Sequence, residues 1–138
     1  MIHLSDTHMP TVMLVDDNLE TLEETASVLR FAGFRVLIQS SPFGVTALVN
    51  RERPDVVVLD VMMPGLSGEG LGKVLRDNSF APIIFFSAMP EEQLRDITAR
   101  TTRASYVLKS EGITYLADEI RRRLKLAPST SVERPPCP

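Results

Sequence analysis

Asp55-Val56-Val57-Val58-Leu59-Asp60 is the stretch on which the fold turns. Its apolar residues leave neither face polar, as in a parallel strand covered on both sides, and the run closes on a carboxylate. Three other apolar runs end in the same manner. Thr11-Val12-Met13-Leu14-Val15 meets Asp16-Asp17, Ile83-Ile84-Phe85-Phe86 meets Ser87, and Tyr106-Val107-Leu108 meets Lys109. As parallel strands of one sheet, these runs would bring carboxylates, a hydroxyl and an ammonium to a single edge. Open α/β sheets bind ligands at that edge. A carboxylate cluster beside a lysine suits a divalent cation and a phosphoryl group.

The segments between the runs read as helices. Asn18 is a good N-cap, and Leu19, Leu22, Ala26 and Leu29 recur at helical spacing up to Gly33. A strand over 35–39 follows. A second helix from near Pro42 turns Val45, Leu48 and Val49 inward and is stopped by Pro54. A third over 67–77 carries Leu71, Val74 and Leu75. Gly70 and Gly72 each weaken it by roughly 1 kcal/mol relative to alanine. A strand over 82–86, a fourth helix over 91–101, a strand over 104–108 and a fifth helix over 111–126 complete the pattern. In the last, Ile113, Leu116, Ile120 and Leu124 form the apolar stripe. Strict alternation predicts an α/β fold with right-handed crossovers and helices on both sheet faces. Residues 1–10 read as a leader and 127–138, with Pro128, Pro135, Pro136 and Pro138, as a tail or interdomain linker. The linker-like tail tilts the expectation towards an output domain beyond it.

The bulk properties narrow the function. A length of 138 residues fits one domain with a core of its own. A net charge of −3 disfavours direct nucleic-acid binding by this chain. Cys137 is the sole cysteine, so neither an internal disulfide nor a cysteine zinc site is available. No apolar stretch approaches the roughly 18 residues of a membrane span, and Met1–Pro10 lacks the pattern of a secretion signal, so a cytoplasmic protein is expected. His3 and His8 sit in the leader and read as incidental, and Arg121-Arg122-Arg123 as the solvated end of a helix.

Mg²⁺ takes about six oxygens and keeps several waters. Asp17 and Asp60 suit direct ligation, Asp16 direct or water-mediated ligation, and the backbone carbonyl of Met62 can add an oxygen. Asp60 is the candidate nucleophile, since a carboxylate can attack a phosphoryl group to form an acyl phosphate. Lys109 offers a point charge and Ser87 a hydroxyl to the phosphoryl oxygens, and Ala88 leaves room for them. Each residue alone is unremarkable: a strand-end cap, a solvated loop acid, a surface lysine. Their joint placement at four strand ends carries the reading.

Asp16-Asp17, Asp60, the loop Met63-Pro64-Gly65-Leu66-Ser67-Gly68, Ser87-Ala88, Tyr106 and Lys109 together resemble the receiver domains of two-component response regulators, over about residues 11–126. The resemblance implies a flavodoxin-like (βα)5 sandwich with strand order 2-1-3-4-5. It implies that a sensor histidine kinase or histidine phosphotransfer protein phosphorylates Asp60 with Mg²⁺ bound. Ser87 then holds the place of the switch hydroxyl and Tyr106 that of the switch aromatic. Together they alter the surface of the fourth helix, fifth strand and fifth helix, through which a homodimer could also form. Such a protein is a signalling switch rather than an enzyme.

The chain departs from the family pattern at Ser110, where most members have proline after the lysine in a cis bond. A non-proline cis bond costs about 2.5–4 kcal/mol, so a trans Lys109–Ser110 bond or a reshaped loop is expected. The departure leaves open an alternative, a degenerate receiver that only binds partners. The resemblance implies that the positions of Met62 and Met89 tune water attack on the acyl phosphate, and thioethers, as weak acceptors, orient water poorly, which predicts slow self-dephosphorylation. A phosphatase of the haloacid dehalogenase type needs an acid at Met62 and fails there. A mononucleotide-binding flavodoxin-like protein lacks the glycine-rich loop after the first strand.

Overall fold

The computed structural model describes residues 9–41, 43–62 and 81–126. Strands β1 (Thr11–Val15), β2 (Arg35–Gln39), β3 (Val56–Leu59), β4 (Ile83–Ser87) and β5 (Ala104–Leu108) form one sheet, with the order β2-β1-β3-β4-β5 and every pairing parallel. This is the flavodoxin-like order. Helices α1 (Leu19–Phe31), α2 (Val45–Glu52), α3 (Glu91–Ala99) and α4 (Ile113–Arg123) connect or follow the strands. The fourth and fifth helices expected from the sequence are α3 and α4. The expected helix over 67–77 and the Met63–Gly68 loop lie outside the described residues, as do 1–8 and 127–138.

Period-two alternation divides the sheet between two cores. Val12, Leu14, Val56, Val58, Ile84 and Phe86 pack with Leu22, Ala26 and Leu29 of α1 and Leu116 and Ile120 of α4. Met13, Val15, Val57, Leu59, Ile83 and Phe85 pack with Val45 and Val49 of α2 and Leu94 and Ile97 of α3. Burial on both faces explains why β3 has no polar position and why β4 has none before Ser87 at its end. Each fully buried side chain of this kind contributes about 1.5–3 kcal/mol.

The helix ends follow local chemistry. The Asn18 side chain accepts from the Thr21 N–H at 3.0 Å and caps α1. At the other end, Gly33 N–H donates to the Arg30 carbonyl and Phe34 N–H to the Leu29 carbonyl. This is a Schellman closure, with Gly33 at φ 103° supplying the left-handed step.

Several boundaries and facings differ from expectation. Leu19 is 60% exposed, because the buried face of α1 begins one turn later and its fourth inward position is Thr25. Helix α2 starts at Val45, since Gly44 at φ 84° interrupts any helix from Pro42. Before α4, Lys109–Glu111 form a single 3₁₀ turn and Gly112 at φ 94° resets the chain. Ile113 and Leu124 only flank the core that Leu116 and Ile120 enter. No cis peptide bond occurs among the described residues, so Lys109–Ser110 is trans, as expected. Nor is any helix among them long and apolar enough to cross a membrane.

Candidate functional site

Register brings the strand ends together. Val15 pairs with Leu59, Leu59 with Phe85, and Ser87 with Leu108, so the residues that follow emerge side by side. The ladder continues one step further at the acids. Asp16 N–H donates to the Gln39 carbonyl at 3.2 Å and Asp60 N–H to the Val15 carbonyl at 3.0 Å.

Three strand ends share one local device. The Asp16 carboxylate accepts from Asn18 N–H at 3.0 Å, the Asp60 carboxylate from Met62 N–H at 3.0 Å, and the Ser87 hydroxyl from Met89 N–H at 3.2 Å. Each is a side chain folded onto the backbone two residues ahead, a turn that Asp and Ser adopt readily. It fixes where each oxygen points before any ligand arrives. Ser87 is fully buried, and its O–H remains a potential donor.

Lys109 joins the acids. Its ammonium donates to Asp16 Oδ2 at 2.8 Å and to Asp60 Oδ2 at 3.1 Å. Both carboxylate side chains are 8% exposed and the lysine 23%. Burial draws the Lys109 ammonium down, but the two carboxylates outweigh it and hold its pKa above the ordinary 10.5. At neutral pH it is a fixed positive charge over the acid pair. Ser110 lies in the 3₁₀ turn, whose Glu111 carboxylate accepts from Leu108 N–H at 3.0 Å. The turn delivers the lysine to both acids without proline.

Asp17 is exposed and makes no hydrogen bond or ion pair among the described residues. Asp16, Asp17 and Asp60 each offer an oxygen within 4.8 Å of the others. An octahedral shell with Mg–O bonds of about 2.1 Å spreads its oxygens up to about 4.2 Å apart. The three acids therefore fit a divalent cation after a small contraction, or with a water in place of one direct bond. Met62 is 56% exposed beside them, with its N–H committed to Asp60.

Tyr106 stands apart from the acids. Its ring packs against the core under α2 and α3, and its hydroxyl donates to Glu91 Oε2 at 2.8 Å, at the first residue of α3. Glu91 also faces Arg95 at 3.7 Å. The structure therefore joins Asp16, Asp60 and Lys109 directly, places Asp17 within 4.8 Å of the other two acids, and ties Tyr106 to α3. Sequence reading missed Glu91, whose contact with Tyr106 is purely tertiary. It also missed Thr25, whose spacing from Leu22 and Leu29 marks it as inward-facing.

The profile of the family described as response regulator receiver domain matches residues 12–121. The chain is 32% identical over 126 residues to a protein of Mycobacterium tuberculosis named probable transcriptional regulatory protein TcrX, covering 89% of this chain and 53% of that protein. It is 29% identical over 120 residues to the DNA-binding response regulator MtrA of Mycobacterium bovis, covering 87% and 53% respectively. The chain thus spans about half the length of these relatives. Among solved structures, the receiver domain of Francisella response regulator 1452 superposes with a TM-score of 0.73 at 26% identity, over 84% of this chain and 97% of that one. Chemotaxis protein CheY4 of Vibrio cholerae gives 0.77 at 23% identity, over 83% and 98%, a likeness of fold.

Proposed function

This chain belongs to the response regulator receiver domain family of two-component signalling, and from that premise we propose that it is a switch thrown by phosphorylation of Asp60. The observation that carries the reading is the ammonium of Lys109 bridging Asp16 and Asp60 beside an open Asp17. A sensor histidine kinase or histidine phosphotransfer protein presents a phosphohistidine. One Asp60 oxygen attacks its phosphorus, the phosphorus–nitrogen bond breaks, and the electron pair stays on the imidazole. Asp16, Asp17, Asp60 and the Met62 carbonyl are the residues that would hold Mg²⁺, which when bound neutralises charge on the phosphoryl oxygens. Lys109 then leaves the acid pair to meet a phosphoryl oxygen, and the Ser87 hydroxyl donates to another.

The product brings close to two negative charges to a site built around one ammonium. Reversing a 1:99 equilibrium takes about 5.5 kcal/mol of differential stabilisation, which charge-assisted contacts to Lys109, Ser87 and the metal can supply. Release of Tyr106 from Glu91 carries the change to the surface of α3, β5 and α4. That surface is where an effector or a second copy of this chain docks. We take residues 11–126 as the receiver unit, acting in the cytoplasm, and assign nucleic-acid contact to no part of it.

Intact-mass measurement after incubation with Mg²⁺ and acetyl phosphate tests the proposal. One phosphate should be gained, and Asp60→Asn or EDTA should abolish the gain. No gain with any phosphodonor, including a phosphorylated histidine domain, would favour the degenerate receiver that binds partners without phosphate.

A further inference from the structure

Beneath Asp16 and Asp60 lies a small pocket, partly open to solvent, lined by Leu22, Val58 and Phe86 and by Thr25 of α1. Thr25 is 3% exposed, and its hydroxyl has no hydrogen-bond partner among the described residues. A helical threonine ordinarily satisfies its hydroxyl on the carbonyl four residues back. Thr98 of α3 does so onto Leu94 at 2.7 Å, and Thr101, just past the end of α3, onto Ile97 at 3.0 Å. Thr25 does not, although α1 offers it the carbonyl of Thr21. A buried hydroxyl left unpaired is costly, and the polar groups that share its pocket are the two acids. The space there suits about one water molecule, and such a water needs two or more polar partners.

We infer that Thr25 is a positioning residue of the acidic site, its hydroxyl joined through one bound water to the Asp16–Asp60 carboxylate pair. The bridge adds to the backbone N–H groups of Asn18 and Met62, which already hold one oxygen of each acid. It restrains the rotation by which they would spread apart, as outer partners of metal-binding carboxylates do. Its consequence for metal binding rests on the function proposed above; the bridge itself does not.

Two substitutions in the full chain test it. Thr25→Val keeps the shape and removes the hydroxyl, and Thr25→Ser keeps the hydroxyl. Thermal unfolding in EDTA reads the bridge: Thr25→Val should melt below wild type. Calorimetric titration with Mg²⁺ reads the positioning: Thr25→Val should bind about three- to ten-fold more weakly and Thr25→Ser within two-fold of wild type. If Thr25→Val melts at or above the wild-type temperature, the hydroxyl had no partner and the inference is wrong. Unchanged Mg²⁺ affinity in Thr25→Val, or equal weakening in both variants, overturns it as well. Should wild type itself take up no Mg²⁺, the phosphorylation-switch reading fails, while the melting comparison still decides the bridge.

Discussion

Replacing Lys109 with methionine isolates the ammonium from its aliphatic stem, because methionine keeps most of the packing and none of the charge. The ammonium makes two charge-assisted hydrogen bonds, at 2.8 and 3.1 Å, to carboxylates that are each 8% exposed. Bonds of this kind are worth about 1.5–3 kcal/mol each, and removing one partner from a buried ion pair costs about 3–5 kcal/mol. The pocket below the acids is partly open, so water can repay some of the loss, and about 3 kcal/mol is expected. That is a large share of the roughly 5–15 kcal/mol of a typical domain. Urea unfolding in EDTA at neutral pH, followed by far-UV circular dichroism, measures it. Added Mg²⁺ should stabilise the variant more than wild type, because the cation replaces the missing charge. At a hundred times its dissociation constant it should return about 2.7 kcal/mol. A loss under 0.5 kcal/mol in EDTA, or a gain, would refute the claim that Lys109 holds the acid pair together.

The pH dependence of the same pair has a defined sign. The Lys109 pKa is raised on folding, so its stabilisation is complete below 10.5 and falls away as pH climbs through the higher folded value. Wild type should lose this increment in alkaline unfolding titrations, and Lys109→Met should not. Arg121 donates to the Ala32 carbonyl at 2.9 Å and lies 5.2 Å from the Phe34 ring centre, so it pins α4 to the closing turn of α1. Arg121→Ala should cost about 1–3 kcal/mol by chemical denaturation, with unchanged phosphate uptake. Gly33→Ala meets no atom within 4 Å, so its cost should be purely conformational, about 1–2 kcal/mol in the same assay. Met62 and Met89 should leave the acyl phosphate long-lived, and Met62→Asn should shorten its lifetime severalfold by mass spectrometry, since an amide can orient the attacking water.

The strands were legible because their physics is one-dimensional: a run apolar on both faces, ended by a polar residue, has few other uses. The meeting of Asp16, Asp60 and Lys109 followed from parallel order alone, since register differences of a residue or two still leave strand ends adjacent. Helix starts were less legible. A left-handed Gly44 delays α2, and nothing local distinguishes that glycine from one inside a first turn. Leu19 matched the helical period but falls before the helix meets the sheet. The hydrogen bond from Tyr106 to Glu91 joins two elements whose relative placement depends on the whole α3–β5 packing, which no local pattern encodes. Thr25 was passed over because a polar residue on an apolar face looks like noise until the space around it is known.

The alternation that sends Leu14 and Val58 towards α1 also decides where Asp16 and Asp60 emerge, while Tyr106 belongs to the opposite layer beneath α3. The sheet therefore lies between the acids and the aromatic, so a signal passing from one to the other has to travel along the strand ends, not through a shared layer of packing. Substitutions that remodel one layer share few contacts with the other, so their energetic effects should sum. Substitutions in the α3 layer can therefore accumulate while the acid cluster keeps its packing.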